Sequence, residues 1–477
     1  MIVVPPTAAV LDSPKAARGL LVPGEGATVT RRGALASLLS GEMGNAIVRG
    51  GLPGAKPRIA LAATPASTTF YVSLPPPGEH HNVVRYPIAV VGGGYRGLLT
   101  SSSTRLHGLV SIADVAPSVS ALRRGDRPRI RSRSSDDPAA VLSRLDRRLD
   151  DAHDSRVGAA IVLVCLMTAF GLAALATRSA SLARAAFLTA PSCLTIAVLL
   201  SAFAVTTPWI AVAALALAAG PLALSAGALL RPVLPLALGL AALFAFMFAV
   251  MWAAPDWNIL AVIGPHPDGG GRFYGVTNQV ETLLLAPALV LGRLAGTTAL
   301  PGIALLLAAG IGASRVGADG GGLVVYLAGF LVLALRLAHA TRRRTWRVAA
   351  GAAVAAAAAF ALVGIDAATG GSSHVTHAVG EGPGSLLGDL GHRIHLSAAS
   401  AASTWNNALL FAAGLAALIW LAFRRPRLAV LDALLAGLAV SLLVNDTPAD
   451  VAGYGALSGL VLWVWLGRSE ERLRRLE

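Results

Sequence analysis

The sequence predicts an all-α polytopic membrane helix bundle of about 11 spans, preceded by a small α/β extra-membrane region. Hydrophobic residues make up 55% of the 477 residues and charged residues only 13%, whereas soluble domains carry about 25% charged residues. The stretch 157–176 has no charged residue, and about 20 apolar residues suffice for a helix to cross a bilayer. Comparable apolar runs follow as far as residue 467, so the second part of the chain is predicted to lie in a membrane.

The region before residue 157 is polar and divides into two parts. Residues 1–122 are predicted to form an α/β region, because residues 59–122 alternate short apolar runs with turn-forming residues. The predicted strands cover residues 59–63, 70–74, 86–92 and 109–115. Residues 123–156 are rich in Arg and Asp and are predicted to form a solvated linker followed by a helix.

The transmembrane helical domain is predicted over 157–467, and residues 468–477 form a basic tail. The spans are expected at 157–176, 185–206, 209–230, 233–253, 277–297, 299–314, 322–340, 348–366, 406–423, 428–445 and 453–467. Near the end of one span Asp432 follows Arg425 and Arg427 closely enough to pair with them. Cys165 and Cys193 both fall in apolar spans, so no disulfide framework is predicted.

The distribution of arginine predicts how the chain crosses the membrane. With a cytoplasmic C-terminus, the inner loops carry eleven arginines and the tail four, while the outer loops carry three. Positive charge is concentrated on the cytoplasmic side of membrane proteins. We therefore expect a multi-pass protein of the plasma membrane with an extracytoplasmic N-terminal region. The opening residues resemble no signal peptide, so either the first span carries the N-terminus outward or a further segment precedes it.

Four polar segments fall on the outward side in this arrangement: 264–281, 315–322, 366–407 and 445–450. Within them Glu281 lies a turn inside an apolar run, where an ionisable group is costly and usually faces a cavity or a partner. An arginine fork suits phosphate or carboxylate. The candidate catalytic residues are Glu281, Asp319 and Asp446, and the candidate substrate-binding residues are Arg272, Tyr274, Asn278, Arg315 and Asn445. The alternative is a structural cap, with Glu281 stabilising a helix N-terminus.

Neither a metal nor a cofactor is predicted. The segment 366–407 contains His374, His377, His392 and His395 in two pairs with a spacing of three residues, but no HExxH motif accompanies them. The glycines after Asp319 lack the Gly-Lys-Ser/Thr sequence of a phosphate loop. The net charge of +14 comes mostly from arginines beside apolar runs, with no zinc-finger spacing, so nucleic-acid binding is not expected.

Part of the N-terminal region resembles the C-terminal end of the alkaline-phosphatase/sulfatase superfamily. The likeness rests on RYPIAVVGGG at 85–94, GLLTSSSTR at 97–105 and GLVSIADVAPS at 108–118. The resemblance implies a domain that closes with an apolar strand and these motifs. Members of that superfamily need upstream Asp and His metal ligands, whereas Asp12 is the sole aspartate before residue 85. The resemblance therefore implies a shortened, non-catalytic remnant.

The membrane part is similar to a group of uncharacterised bacterial multi-span proteins. The motif RFYGxxN stands here at 272–278, and a later Asn-Asp pair stands at Asn445 and Asp446. In that group the membrane part can be joined to a phosphatase-like domain, which agrees with the first resemblance.

These patterns favour a cell-envelope protein that transports or flips an anionic, phosphorylated or lipid-linked substrate. Arg272 would bind the anion, Asn278 would orient it, and Glu281, Asp319 and Asp446 would act as proton or cation sites. The alternatives are a membrane-embedded transferase in which Glu281 or Asp319 acts as general base, or a non-catalytic envelope scaffold. The expected partners are membrane lipids and the anionic substrate.

Overall fold

A computed structural model describes residues 6–26, 28–42, 67–268, 272–338, 401–402, 404–425 and 427–474, with three isolated positions at 353, 357 and 361. The chain divides into two compact units. The N-terminal unit comprises Met1–Asp154, Asn258–Leu260 and Pro265–Tyr274, and the membrane unit comprises the remainder.

The N-terminal unit is built on a mixed six-stranded sheet. Its strands are β1 (Ala16–Val22), β3 (Thr68–Val72), β5 (Tyr86–Gly92), β6 (Gly97–Ser101), β7 (Leu109–Ser111) and β8 (Ile130–Arg133). The order is β3-β5-β1-β6-β8, and β7 also pairs with β1. Strand β1 runs antiparallel to β5 and parallel to β6 and β7. Strands β2 (Thr28–Thr30) and β4 (Glu79–His81) form a separate antiparallel pair.

Helices α1 (Ala8–Leu11), α2 (Arg31–Ser40) and α3 (Val115–Arg124) belong to this unit, together with the first part of α4 (Pro138–Thr177). The Thr30 hydroxyl accepts a hydrogen bond from Gly33 N (3.1 Å) and so caps α2. Leu38 of α2 and Leu99 of β6 are fully buried in the apolar core. Burial of this kind is the main contribution to the stability of such a unit.

Sequence-based expectations for this unit are met in part. The predicted strand at 86–92 coincides with β5, and the one at 70–74 overlaps β3. Of the predicted strand at 109–115 only 109–111 is a strand, because the chain then forms a 3-10 turn (Ile112–Asp114) that leads into α3. The stretch 59–63 lies outside the described residues.

The prediction of a solvated linker is wrong at 130–133, which form β8. Strand β8 pairs antiparallel with β6 at the edge of the sheet. Ile130 is fully buried, while Arg131 and Arg133 are exposed. A strand at a sheet edge needs few apolar residues, so the polar composition concealed it.

The membrane unit contains the rest of α4 and a series of apolar helices. These are α5 (Ala180–Ala202), α6 (Pro208–Leu229), α7 (Val233–Ala253), α9 (Asn278–Gly312), α10 (Gly320–Leu337), α11 (Trp405–Phe423), α12 (Ala429–Val444) and α13 (Pro448–Arg474), with the short α8 (Pro255–Ile259) after α7. Among the described residues, eight helices are long and apolar enough to cross a membrane. The predicted count of about 11 spans is not confirmed. Apart from the isolated positions 353, 357 and 361, the stretch 348–366 lies outside the described residues. Helix α12, with 16 residues, is shorter than a typical span.

Helix α9 holds two of the predicted spans and is broken between them at Gly296, whose φ of 79° and ψ of 170° are not helical. The backbone N–H of Val276, just before α9, donates to the carbonyl of Gly317, just after it (2.8 Å). Each half is about 25 Å long at 1.5 Å per residue, so the ends meet only if the halves run antiparallel. Helix α9 is therefore a hairpin that returns the chain to the end from which it started.

Helices α10 and α12 lie antiparallel, and their two ends differ in charge. At one end, Arg427 Nη1 and Arg336 Nε lie 3.1 Å and 3.0 Å from the carboxylate oxygens of Asp432. The predicted pairing of Asp432 is thus confirmed for Arg427 but not for Arg425, because the second partner of Asp432 among the described residues is Arg336. At the opposite end of α10 and α12, where α9 begins, side chains with carboxylate and amide groups lie close together.

Candidate functional site

Glu281 lies in the first turn of α9 and is fully buried. The helix begins there because the Thr277 hydroxyl accepts a hydrogen bond from Val280 N (3.3 Å). Leu283 and Leu284, on the following turn, are buried in the apolar core. The sequence thus carries a carboxyl group directly into the interior of the helix bundle.

Two side chains at the C-terminal end of α12 hold the Glu281 carboxylate, Ser441 in its last turn and Asn445 directly after it. Ser441 Oγ donates to Oε1 (3.2 Å), and Asn445 Nδ2 donates to Oε2 (2.8 Å). Asn445 Nδ2 also lies 2.7 Å from Ser441 Oγ. Ser441 and Asn445 are four residues apart and therefore share one helical face. Both are buried, so these neutral donors replace the water that a carboxylate would otherwise bind.

Helix α10 closes the site from a third side. The hydroxyl of Tyr326, which is fully buried, donates to the backbone carbonyl of Glu281 (3.4 Å). Gly321 lies against the amide of Asn445, because a Cβ at Gly321 would be 2.7 Å from Asn445 Oδ1. A side chain at this position would displace Asn445, so the glycine allows α10 to approach.

Asp319 caps α10 at this same end of the bundle. Its Oδ1 accepts a hydrogen bond from Gly322 N (3.1 Å), and the residue is 1% exposed. A Cβ at Gly321 would also lie 3.5 Å from Asp319 Oδ1. Asp319 is therefore a helix cap, as is usual for aspartate at this position, and it borders the Glu281 cluster.

A second polar layer joins the start of α9 to the turn between α12 and α13. Asn278 Nδ2 donates to Asp446 Oδ1 (2.9 Å) and to Thr447 Oγ1 (3.0 Å). The Thr282 hydroxyl donates to the Asn278 carbonyl (2.8 Å). Asn278 and Asp446 are partly exposed, so this layer lies nearer the end of the bundle than Glu281 does.

The structure thus brings together five of the eight candidate residues, which are Asn278, Glu281, Asp319, Asn445 and Asp446. Arg315, in the turn between α9 and α10, is exposed. Arg272 and Tyr274 belong to the N-terminal unit. There Tyr274 is buried, and the Arg105 guanidinium lies 4.0 Å from the centre of its ring. The histidines of 366–407 lie outside the described residues.

Sequence reasoning missed Ser441 and Tyr326 as members of the cluster. Ser441 could have been found, because it lies one helical turn before Asn445 in an otherwise apolar helix. Tyr326 gave no comparable signal, since a tyrosine in a span is more often an interfacial anchor. Among the described residues, no group of three or more His, Cys, Asp or Glu side chains is arranged to hold a metal ion.

The segment 108–118 connects several elements of the N-terminal unit by buried hydrogen bonds. Asp114 is fully buried and accepts hydrogen bonds from Ser103 N (3.1 Å) and Ser103 Oγ (2.8 Å). Ser118 Oγ donates to the Asp114 carbonyl (2.6 Å) and accepts from Ile130 N (2.8 Å). These residues connect the turn after β6, the helix α3 and the edge strand β8.

The fold defines the class of protein: an integral membrane protein of several helices with an α/β N-terminal unit. Comparisons with protein-family models, with curated proteins and with solved structures find no match. The two family resemblances stated from the motifs stay predictions.

Proposed function

We propose that this membrane protein is a carrier that transports or flips an anionic, phosphorylated or lipid-linked substrate, and that Glu281 exchanges the proton or cation that drives it. The observation that carries this proposal is the complete burial of Glu281 between Ser441 and Asn445. An ionisable group at such a place is costly, and in membrane proteins it usually serves a proton or ion pathway.

The remaining candidate residues take roles that follow from their chemistry. Asn445 and Ser441 orient the Glu281 carboxylate, and Asp319 and Asp446 are further proton or cation sites at the same end of the bundle. Arg315 contacts the anionic substrate and Asn278 orients it, while Arg272 and Tyr274 stay sequence-based candidates for substrate binding. The Glu281 end of the bundle lies on the extracytoplasmic side of the plasma membrane, which agrees with the distribution of arginine.

The first experiment tests proton binding at Glu281 without knowledge of the substrate. Dicyclohexylcarbodiimide is apolar and reacts with protonated carboxyl groups. The full chain in liposomes would be treated between pH 5 and pH 8, and adducts would be located by peptide mass spectrometry. We expect an adduct at Glu281 that increases as the pH falls, and none in Glu281→Gln. Asp432, which is paired with two arginines, is the internal control and should remain unmodified.

A second experiment tests transport itself. Proteoliposomes would be supplied with glucose 6-phosphate or a short-chain polyprenyl phosphate under an imposed pH gradient. Glu281→Gln should abolish accumulation driven by the gradient, because the amide cannot exchange a proton. An adduct at Glu281 that does not depend on pH, or accumulation that survives the Gln substitution, would contradict the carrier proposal. Acid-to-amide changes without any effect would instead favour the scaffold.

A further inference from the structure

The C-terminal end of α11 holds an arginine against two indole rings. The Arg424 guanidinium carbon lies 4.4 Å from the centre of the Trp420 ring and 5.4 Å from that of Trp463. The two rings meet edge to face, with centroids 5.5 Å apart and planes at 76°. Cation–π contacts of this kind hold a guanidinium in place while its N–H groups stay available for hydrogen bonds.

Arg424 differs from the nearby Arg427 and Arg336 in having no carboxylate beside it among the described residues. Arg427 and Arg336 are both paired with Asp432. Arg424 and Arg425 are exposed, and neither has a carboxylate partner within the described part of the chain. Two adjacent exposed arginines at the end of an apolar helix give a local positive potential at the level of the lipid head groups.

A buried hydrogen-bond donor lies in the same cluster. Trp463 Nε1 has no hydrogen-bond acceptor among the residues that the structure describes. A buried N–H group without an acceptor is unfavourable, and Trp463 gains an acceptor if its ring turns toward a phosphate bound at Arg424.

An exposed apolar strip leads along α11 to this cluster. Ile419 is 50% exposed, Trp420 42% and Phe423 80%. Phe423 follows Trp420 by three residues and Ile419 by four, so its ring lies near both of them on the surface of the helix. Such a face on a membrane helix is suited to an acyl chain. The apolar strip and the arginines that follow it therefore match the two parts of a phospholipid.

We propose that the end of α11 is a binding site for an anionic phospholipid. Arg424 and Arg425 bind its phosphate, and Ile419, Trp420 and Phe423 contact an acyl chain. Arg336, at the end of α10, and Arg427, in the turn before α12, share the single carboxylate of Asp432 and so leave one further positive charge near the head group. The site lies at the opposite end of the bundle from Glu281, so this proposal does not depend on the carrier function.

The experiment compares lipid retention by native mass spectrometry. The full chain in mild detergent would be mixed with phosphatidylglycerol or with phosphatidylcholine of the same chain length. We expect preferential retention of phosphatidylglycerol, and a reduction of about fivefold in Arg424→Gln. The matched control is Arg231→Gln, an exposed arginine between α6 and α7, which should leave retention unchanged. Equal retention of the two lipids, or undiminished retention in Arg424→Gln, would overturn the proposal.

A second measurement needs no variant and so is independent of folding. Brominated lipids quench indoles that they contact, and quenching by brominated phosphatidylglycerol should exceed that by brominated phosphatidylcholine. Equal quenching would overturn the site. Glycerol 3-phosphate at millimolar concentration should not displace the lipid. If it does, the arginines bind a soluble phosphate, and the lipid proposal is wrong.

Discussion

The side-chain amide of Asn445 donates to the carboxylate of Glu281 over 2.8 Å, across 164 residues of sequence. This hydrogen bond joins the end of α12 to the beginning of α9. Because both residues are buried, the bond places a carboxyl group at a defined point inside the bundle.

Asn445→Ala should destabilise the membrane unit by about 1 to 3 kcal/mol, because the buried carboxylate loses a donor. Ser441→Ala should act in the same direction with a smaller effect, since its bond to Glu281 is longer (3.2 Å). Thermal unfolding in detergent measures both. If Glu281→Gln restores the stability of Asn445→Ala, the cost arose from the carboxylate. The absence of such rescue would contradict the role given to Asn445.

Gly321→Ala should reduce transport without removing any polar group of the site. The added Cβ would lie 2.7 Å from Asn445 Oδ1, so the amide must move away from Glu281. The matched control is Gly302→Ala in α9, where nothing lies within 4 Å of the new Cβ. That control should be neutral, or stabilising by about 1 kcal/mol from helix propensity. Equal effects of the two substitutions on carbodiimide labelling of Glu281 would argue against the displacement.

The N-terminal unit should depend on the pairing of Arg85 with α4. Arg85 Nη2 lies 2.7 Å from Asp146 Oδ1 and 2.6 Å from Asp150 Oδ1, and its side chain is 2% exposed. Burial by itself lowers the pKa of Arg85, but hydrogen bonds to Asp150 and Asp146 raise it above its ordinary value. The guanidinium therefore remains charged and needs its partners.

The double substitution Asp146→Asn with Asp150→Asn should destabilise this unit by about 2 kcal/mol. This is less than the loss of a partner costs a fully buried ion pair, because both aspartate side chains are partly exposed. Hydrogen exchange in β5 would report the loss, because Arg85 directly precedes that strand. Asp154→Asn, on an exposed position of α4, is the control and should leave the exchange unchanged. Unaltered exchange in the double variant would show that the pairing contributes little.

The N-terminal unit should lose stability in alkali through Tyr95. Its hydroxyl donates to the Ile130 carbonyl (2.8 Å), and burial raises its pKa above the ordinary 10.0. Because the folded pKa is the higher one, the contribution is complete below about pH 10 and is lost as the pH rises further. Pulse proteolysis in urea would measure the unfolding free energy. In Tyr95→Phe the unfolding free energy should decline less steeply above about pH 10. An unchanged slope would show that Tyr95 does not cause the loss of stability in alkali.

The orientation of the bundle is testable with single cysteines on a chain in which Cys165 and Cys193 are replaced by alanine. The two cysteines would be introduced as Arg315→Cys and Arg425→Cys, because Arg315 and Arg425 are exposed at opposite ends of the helices. A membrane-impermeant maleimide should label position 315 in intact cells and position 425 only after permeabilisation, because arginine-rich loops stay in the cytoplasm. The reverse pattern would invert the proposed topology.

Local composition was sufficient to predict much of this protein. The apolar runs predict the helices, because the cost of placing polar groups in hydrocarbon acts on each segment separately. The polar breaks at their ends singled out Glu281, Asn445 and Asp446. The strand β8 was missed, since an edge strand with a single buried side chain, Ile130, has almost no hydropathic signal.

Only the tertiary structure decided which of these residues meet. Hydropathy cannot show that Gly296 reverses the chain, or that Ser441 and Tyr326 lie against Glu281. Such contacts depend on the rotation and register of packed helices, which are set by shape, as at Gly321 against Asn445. The sequence by itself therefore determined the class of protein and the residues of interest, and the packing of α9, α10 and α12 decided that five of them form one cluster.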